Sequence, residues 1–158
     1  MRSLILLAAA GLGLLQTQPP PAPAAAPPPG TDIHLVALTA GLASMKAAAP
    51  TPVSVAPGYD NQPAFSPDGA RILFAANRDG KQSDVFAFDR TSGRVSQLTQ
   101  TAENENSPTF LPDGLGEAGS FSVVQTEADR SQRLWRFNAA GQNSQLILAD
   151  VKPVGYHA

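Results

Sequence analysis

The segment that decides the fold is NQPAFSPDG at residues 61–69, which returns as NSPTFLPDG at residues 106–114. The two copies share an asparagine, two prolines, a phenylalanine, an aspartate and a glycine, each displaced by forty-five residues. Six identities at one offset indicate an internal repeat, and a period of this length is typical of proteins built from repeated supersecondary units.

The residues between the two copies predict β-structure. Short β-prone runs at 63–66, 72–76, 84–89 and 95–98 are separated by turns that end in Gly69, Gly80 and Gly93. Glycine at the last position of such a turn accepts a left-handed backbone, and an Asp-Gly pair favours a hairpin. Four strands joined by tight turns describe one antiparallel meander, which is the blade of a β-propeller.

The neighbouring residues extend this pattern in both directions. A second, less regular unit places strands at 108–110, 121–125, 134–137 and 145–148. Upstream, residues 32–35 are similar to 84–87 and predict the third strand of a preceding blade, with 51–55 as its fourth. The alanine-rich residues 39–50 between them are compatible with a helical insertion or a loose loop.

Together these motifs closely resemble the TolB-like, WD-type β-propeller repeat. Its pattern is a proline, an aromatic residue, Ser-Pro-Asp-Gly, a hydrophobic strand, Arg-Asp-Gly, an aspartate before the third strand and a closing Leu-Thr; residues 61–99 carry nearly all of it. In the second unit Leu111 stands where the repeat has serine. The resemblance covers roughly residues 31–158 and implies an all-β fold, a partial propeller of about two and a half four-stranded antiparallel blades.

The N-terminus predicts export. Arg2 precedes a run of twelve apolar or small residues, 4–15, and small residues follow, as in a secretory signal peptide. A cytosolic protein with an apolar N-terminus is the weaker alternative, and twelve residues are too few for a transmembrane helix. We expect a signal peptide at 1–24 and a Pro/Ala-rich linker at 25–30, which acts as a spacer rather than as a proline ligand.

The repeat also predicts where the blades begin and end in the remaining residues. We expect a partial first blade with the Ala-rich insertion at 31–57, a blade at 58–101, a degenerate blade at 102–150 and the start of an incomplete blade at 151–158. The offset places Pro153 where Pro108 stands in the preceding unit. Closed propellers have about four to eight blades, so the sequence predicts either a truncated chain, the preferred reading, or protomers that share one propeller through open blade edges.

Composition excludes several classes of function. Eleven basic against thirteen acidic residues, with a formal charge of −2, give no surplus for nucleic-acid binding or polybasic membrane docking. The absence of cysteine excludes disulfides, thiolate nucleophiles, cysteine-rich metal sites and lipoprotein anchoring. The sequence contains neither the Gly-x-Ser-x-Gly element of serine hydrolases nor a phosphate-binding glycine loop.

Few residues are candidates for chemistry. His34 and His157 lack ligand partners at a short spacing, so we expect no metal site, and only His157 keeps a minor functional alternative. The acidic cluster at 103–106 is read as a solvated loop between blades, in which Asn106 caps a turn, rather than as a calcium site. Asp68 and Asp113 are expected to be structural, because each lies in a Pro-Asp-Gly turn.

The aromatic residues are expected to pack between blades rather than to form a ligand cage; they are Phe65, Phe74, Phe86, Phe88, Phe110, Trp135 and Phe137. The sequence indicates no catalytic residue, cofactor or metal ligand.

The resemblance implies a periplasmic or secreted, non-enzymatic propeller whose family role is protein–protein contact in the cell envelope. Its partner is expected to be a protein, which the residues do not identify. The alternative is the N-terminal propeller of a secreted prolyl-oligopeptidase-type serine peptidase, because the same repeat builds that domain. A degraded reading frame without a stable product is a third hypothesis.

Overall fold

The structure is a computed structural model that describes residues 30–41 and 44–157. The expected signal peptide and nearly all of the linker lie outside these residues. The described residues form twelve β-strands: β1 Ile33–Leu35, β2 Leu38–Gly41, β3 Ser44–Ala47, β4 Thr51–Ser54, β5 Tyr59–Phe65, β6 Arg71–Asn77, β7 Asp84–Asp89, β8 Arg94–Gln97, β9 Asn104–Phe110, β10 Phe121–Thr126, β11 Gln132–Phe137 and β12 Gln145–Ile147. The described part of the chain contains no helix that could span a membrane.

Two four-stranded sheets contain most of these strands. β5 to β8 form the first full blade and β9 to β12 the second, each an antiparallel meander in sequence order. The turns follow the predicted chemistry: Gly69, Gly80 and Gly93 have φ angles of 68°, 76° and 69°. All-β blades of four antiparallel strands therefore agree with the predicted fold class.

The second full blade carries a longer first hairpin. Phe65 pairs with Ile72, whereas Phe110 pairs with Phe121, so this connection is four residues longer in the second blade. The loop still closes as a hairpin, because the Leu111 amide donates to the Ser120 carbonyl at 2.9 Å.

Upstream, β1 and β4 pair antiparallel as a two-stranded sheet. The alanine-rich insertion between them is neither a helix nor a loose loop, because β2 and β3 form an exposed hairpin there. Leu35 pairs with Thr51 at the base of the insertion, which brings its two ends together. A hairpin satisfies the backbone hydrogen bonds of a segment closed in this way, whereas a helix would need its ends farther apart.

Hydrophobic side chains fill the spaces between adjacent sheets. One cluster packs the β1–β4 pair against the first full blade and contains Ile33, Val53, Ile72, Phe74, Ala76, Phe86 and Phe88. The other packs the two full blades together and contains Leu73, Val85, Ala87, Phe110, Phe121, Val123 and Phe137, with Leu98 and Trp135 at its edge. Most of the expected aromatic residues are therefore packing residues. Phe65 is the exception, with 54% of its surface exposed.

The inner strands of the two full blades share an irregularity. β5 and β9 each contain a bulge, at which Gln62 and Ser107 adopt positive φ angles of 54° and 49°. The Gln62 side-chain oxygen accepts a hydrogen bond from the Ser107 amide at 2.8 Å, so the two bulges also join the blades.

One backbone hydrogen bond recurs at every junction between blades. The amides of Asp60, Glu105 and Val154 donate to the carbonyls of Thr31, Ser83 and Gln132 at 3.2, 2.8 and 2.9 Å. Val154 therefore stands at the position in the repeat that is equivalent to Asp60 and Glu105. The alignment of Pro153 with Pro108 is wrong, because the longer first hairpin of the second full blade shifts everything after it.

Candidate functional site

A buried carboxylate stands near the start of each inner strand. Asp60 and Glu105 are the second residues of β5 and β9, and they expose 2% and 0% of their surface. A hydroxyl six residues earlier donates to each: Ser54 Oγ to Asp60 Oδ2 at 2.8 Å, and Thr99 Oγ1 to Glu105 Oε2 at 3.0 Å. The two positions are equivalent in the repeat, so their differences are informative.

In the first full blade an arginine neutralises the carboxylate. Arg78 forms an ion pair with Asp60 Oδ1 and donates to Ser54 Oγ at 2.7 Å. Its guanidinium lies over the Phe86 ring, 5.3 Å from the ring centroid. Acid, hydroxyl and aromatic ring thus surround one guanidinium, an arrangement in which charge pairing and cation–π attraction act together.

In the second full blade the arginine is missing. Asn77 pairs with Tyr59, and Thr126 pairs with Asn104, so Arg78 and Glu127 follow equivalent positions of β6 and β10. Glu127 accepts two hydrogen bonds from Arg133, at 2.8 and 2.6 Å, and one from Trp135 Nε1 at 2.8 Å. The hydrogen bonds from Arg133 hold the pKa of Glu127 below its ordinary value. This ion pair leaves Glu105 without a cation.

Glu105 is stabilised instead by neutral groups and by a second carboxyl group. Thr101 Oγ1 donates to Glu105 Oε1, as does Gln125 Nε2 at 3.4 Å. The Asp84 carboxyl is close enough to Glu105 for each group to affect the pKa of the other. Burial raises the pKa of Glu105 to about 7 and also raises the pKa of Asp84. Two adjacent carboxyl groups with little solvent cannot both ionise cheaply, so near neutral pH the pair retains a proton.

A cavity of about 480 Å³ opens beside this pair, and Gln125 and Trp135 contribute to its wall. Thr101 and Glu103 line it from the β8–β9 connection, and Glu127 and Asp129 from the β10–β11 connection. Gln125 exposes only 6% of its surface, and its Oε1 atom has no hydrogen-bond partner. The cavity therefore combines an aromatic wall, several carboxylates and an unused acceptor, a set suited to a cation.

The reading of residues 103–106 as a solvated loop is wrong. β9 begins at Asn104, whose Oδ1 accepts a hydrogen bond from the Ser83 amide at 3.0 Å, and Glu105 is fully buried. The sequence contained a signal for this site, because Glu105 lies forty-five residues after Asp60, in register with the repeat. A comparison restricted to identical residues misses it, since the two acids differ in length.

Asp68 has the structural role expected of it. Its Oδ1 accepts hydrogen bonds from Ser66 Oγ at 2.6 Å and from the Ala70 amide at 2.9 Å, and these hold the pKa of Asp68 below its ordinary value. Asp113 lies at the equivalent exposed turn, which ends in Gly114 with a φ of 88°.

The two histidines do not come together with other ligands. His34 is exposed on β1 opposite Pro52, whereas His157 Nε2 lies 2.7 Å from Ser122 Oγ. Burial lowers the pKa of His157, so its ring is neutral near pH 7. Across residues 30–41 and 44–157, no three His, Asp or Glu side chains converge as metal ligands.

The architecture defines the class of protein. Sequential four-stranded meanders that pack face to face, with the first strands of successive blades adjacent, are the blades of a β-propeller. No protein-family model matches the chain. The fold is TolB-like: it is similar to the solved structure of a protein described as a candidate TolB from Agrobacterium tumefaciens, with a TM-score of 0.53 and 20% identity, over 65% of this chain and 36% of that chain. The chain thus matches about a third of that structure's length.

Proposed function

We propose that the protein is an exported, non-enzymatic propeller that binds a protein partner in the cell envelope. The observation that carries the proposal is the open acidic cavity at the edge of the second full blade, where the β8–β9 and β10–β11 connections meet. Loops at the ends of propeller blades are free to vary around a rigid scaffold, and binding sites concentrate on such loops.

The chemistry of this site supports binding rather than catalysis. Thr99, Thr101 and Gln125 donate hydrogen bonds to Glu105 and hold its carboxyl group in place. The pair formed by Ser122 and His157 is a poor nucleophile–base candidate, because Ser122 lies within β10 with 2% of its surface exposed. The His157 Nδ1 atom is buried and has no hydrogen-bond partner, whereas a catalytic histidine is normally oriented by an acid there.

The proposed export to the cell envelope rests on residues 1–24. Their single positive charge, short apolar run and small residues have the layout of a cleavable export signal. The fold similarity to a TolB structure is compatible with that location.

A site-specific cross-linking experiment in the source cells tests both parts. A photoreactive amino acid is placed at Asp129, which is exposed at the rim of the cavity, and in a control strain at Thr91, which is exposed in the β7–β8 turn. We expect a discrete adduct with an envelope protein at position 129 only, recovered from the periplasmic fraction. Retention of the protein in the cytosol would refute export, and equal results at both positions would refute the binding site.

An active-site probe tests the alternative class directly. We expect the native protein to remain unlabelled by a fluorophosphonate, which reacts with the activated serine of serine peptidases. Labelling of the native polypeptide would support the peptidase alternative instead.

A further inference from the structure

We propose that the cavity beside Glu105 and Trp135 is a receptor for a guanidinium group, namely an arginine side chain presented by the protein partner. This inference rests on the proposed binding function and names the chemistry of what is bound. It follows from comparing two equivalent places in one chain, of which one contains an arginine and the other a cavity.

The first full blade shows what this position accommodates. The Arg78 guanidinium contacts a buried acid, a hydroxyl and an aromatic ring, and it donates to the carbonyls of Ala56 and Pro57 at 3.4 and 3.5 Å. A planar guanidinium has five N–H donors in a fixed fork, so it can satisfy several such acceptors at once, which a lysine ammonium does less well.

The second full blade retains the receptor and lacks the arginine. Glu105 replaces Asp60, Thr99 replaces Ser54, and the register of β7 with β6 and of β11 with β10 places Trp135 where Phe86 stands. Tryptophan attracts cations more strongly than phenylalanine does. The equivalent of Arg78 is Glu127, whose carboxylate is engaged by Arg133.

An unused acceptor points to the same ligand. Gln125 Oε1 is buried without a hydrogen-bond partner. A buried acceptor left unsatisfied is destabilising, and a donor from a ligand would recover part of that loss. The Gln125 side chain lines the cavity, so its acceptor is close to whatever enters.

The charges around the cavity favour a cation. Glu103 and Asp129 line it, and Asp84 and Glu105 lie behind Thr101 and Gln125. Three cations belong to the same region: Arg133 is bound to Glu127, Arg130 follows Asp129 in the β10–β11 connection, and the charge of Lys152 helps to lower the pKa of Asp129. The carboxylates therefore outnumber the cations, and the field at the cavity attracts positive charge.

Entry of a guanidinium should displace a proton. A cation near Glu105 stabilises its carboxylate form, so the proton retained by the Asp84–Glu105 pair leaves to solvent. Binding should therefore tighten as the pH rises from 6 to 8. A merely structural acid pair would give no such dependence.

The only tryptophan of the chain, Trp135, reports on the site directly. The full chain is titrated with the peptide acetyl-Gly-Arg-Gly-amide while the fluorescence of Trp135 is recorded. The matched peptides carry lysine or citrulline, the second being a neutral isostere of arginine. We expect a saturable change with the arginine peptide, a weaker one with lysine, and an affinity for citrulline lower by at least about tenfold. Equal responses to arginine and citrulline would overturn the proposal.

Two variants and one control localise the effect. Glu105→Gln should weaken binding of the arginine peptide by at least about tenfold and abolish its pH dependence. Glu127→Arg restores the arginine of the first full blade, so it should fill the cavity and prevent binding while the chain remains folded. Glu117→Gln makes the same change of charge at an exposed residue of the β9–β10 connection and should bind as the parent does. Unchanged binding by both Glu105→Gln and Glu127→Arg would refute the site.

The outcomes separate this inference from the proposed function. An adduct at position 129 without selective binding of the arginine peptide would refute the guanidinium site and leave partner binding intact. Selective peptide binding without any adduct in cells would leave the receptor chemistry standing and refute the proposed cellular role.

Discussion

The buried carboxyl of Glu105 makes the stability of the chain depend on pH in an unusual direction. Its pKa is about 7 in the folded chain against an ordinary value of 4.5. Between these values the folded state retains a proton that the unfolded state releases, so the free energy of unfolding falls as the pH rises. At about 1.4 kcal/mol for each pH unit, the loss amounts to about 3 kcal/mol and is complete above the upper value.

Other titrating groups must be separated from this effect. Burial lowers the pKa of His157, so the contribution of this histidine to the free energy of unfolding increases as the pH rises towards 6.5. This change has the opposite sign to that of Glu105. The exposed Asp68 and Asp129 have lowered pKa values and finish titrating below the window. Burial raises the pKa of Asp84 as well, and nearby Asp79 adds to this, so the observed midpoint belongs to the Asp84–Glu105 pair.

Glu105→Gln isolates the contribution, because glutamine has the shape of the protonated acid and does not titrate. Urea unfolding, followed by fluorescence, is measured from pH 4.5 to 8 for the parent, for Glu105→Gln and for the control Glu117→Gln. We expect Glu105→Gln to match the parent near pH 4.5 and to exceed it by about 3 kcal/mol at pH 8. Parallel profiles for the parent and Glu105→Gln would refute the argument that burial, without a cation, sets this pKa.

Two further predictions concern the junctions between blades. Arg78→Met leaves the Asp60 carboxylate buried without its cation and should destabilise the chain by about 3–5 kcal/mol in urea unfolding, whereas adding Asp60→Asn should recover most of the loss. Gly141→Ala places a Cβ atom against the Leu98 carbonyl oxygen of the preceding blade, too close for the two atoms to coexist without a shift, at a φ of 75°. It should lower the thermal midpoint more than the control Gly93→Ala does. Gly93 has a similar φ of 69°, but no atom lies near its added Cβ, so this control should cost only about 1–2 kcal/mol. Equal effects of the two variants would contradict close packing at the Gly141 turn.

The strands of the two full blades could be predicted because their signals are local. A turn such as that at Gly80 depends on the residues that form it, and an apolar run such as 72–76 identifies a buried strand without reference to the rest of the chain. The hairpin of β2 and β3 could not be predicted in this way. Alanine favours helix, but the pairing of β1 with β4 constrains the ends of the insertion, and that constraint comes from residues outside it.

The candidate site shows the same division. The repeat places Asp60 and Glu105 at equivalent positions, and the sequence alone establishes this equivalence, together with the four-stranded blade and its turns. Only the tertiary structure decides that Glu105 is fully buried, that Arg133 forms an ion pair with Glu127 and that Trp135 lines a cavity. The physical reason is that burial and charge pairing depend on the register between strands and on the packing of one blade against the next, which join residues distant in the chain.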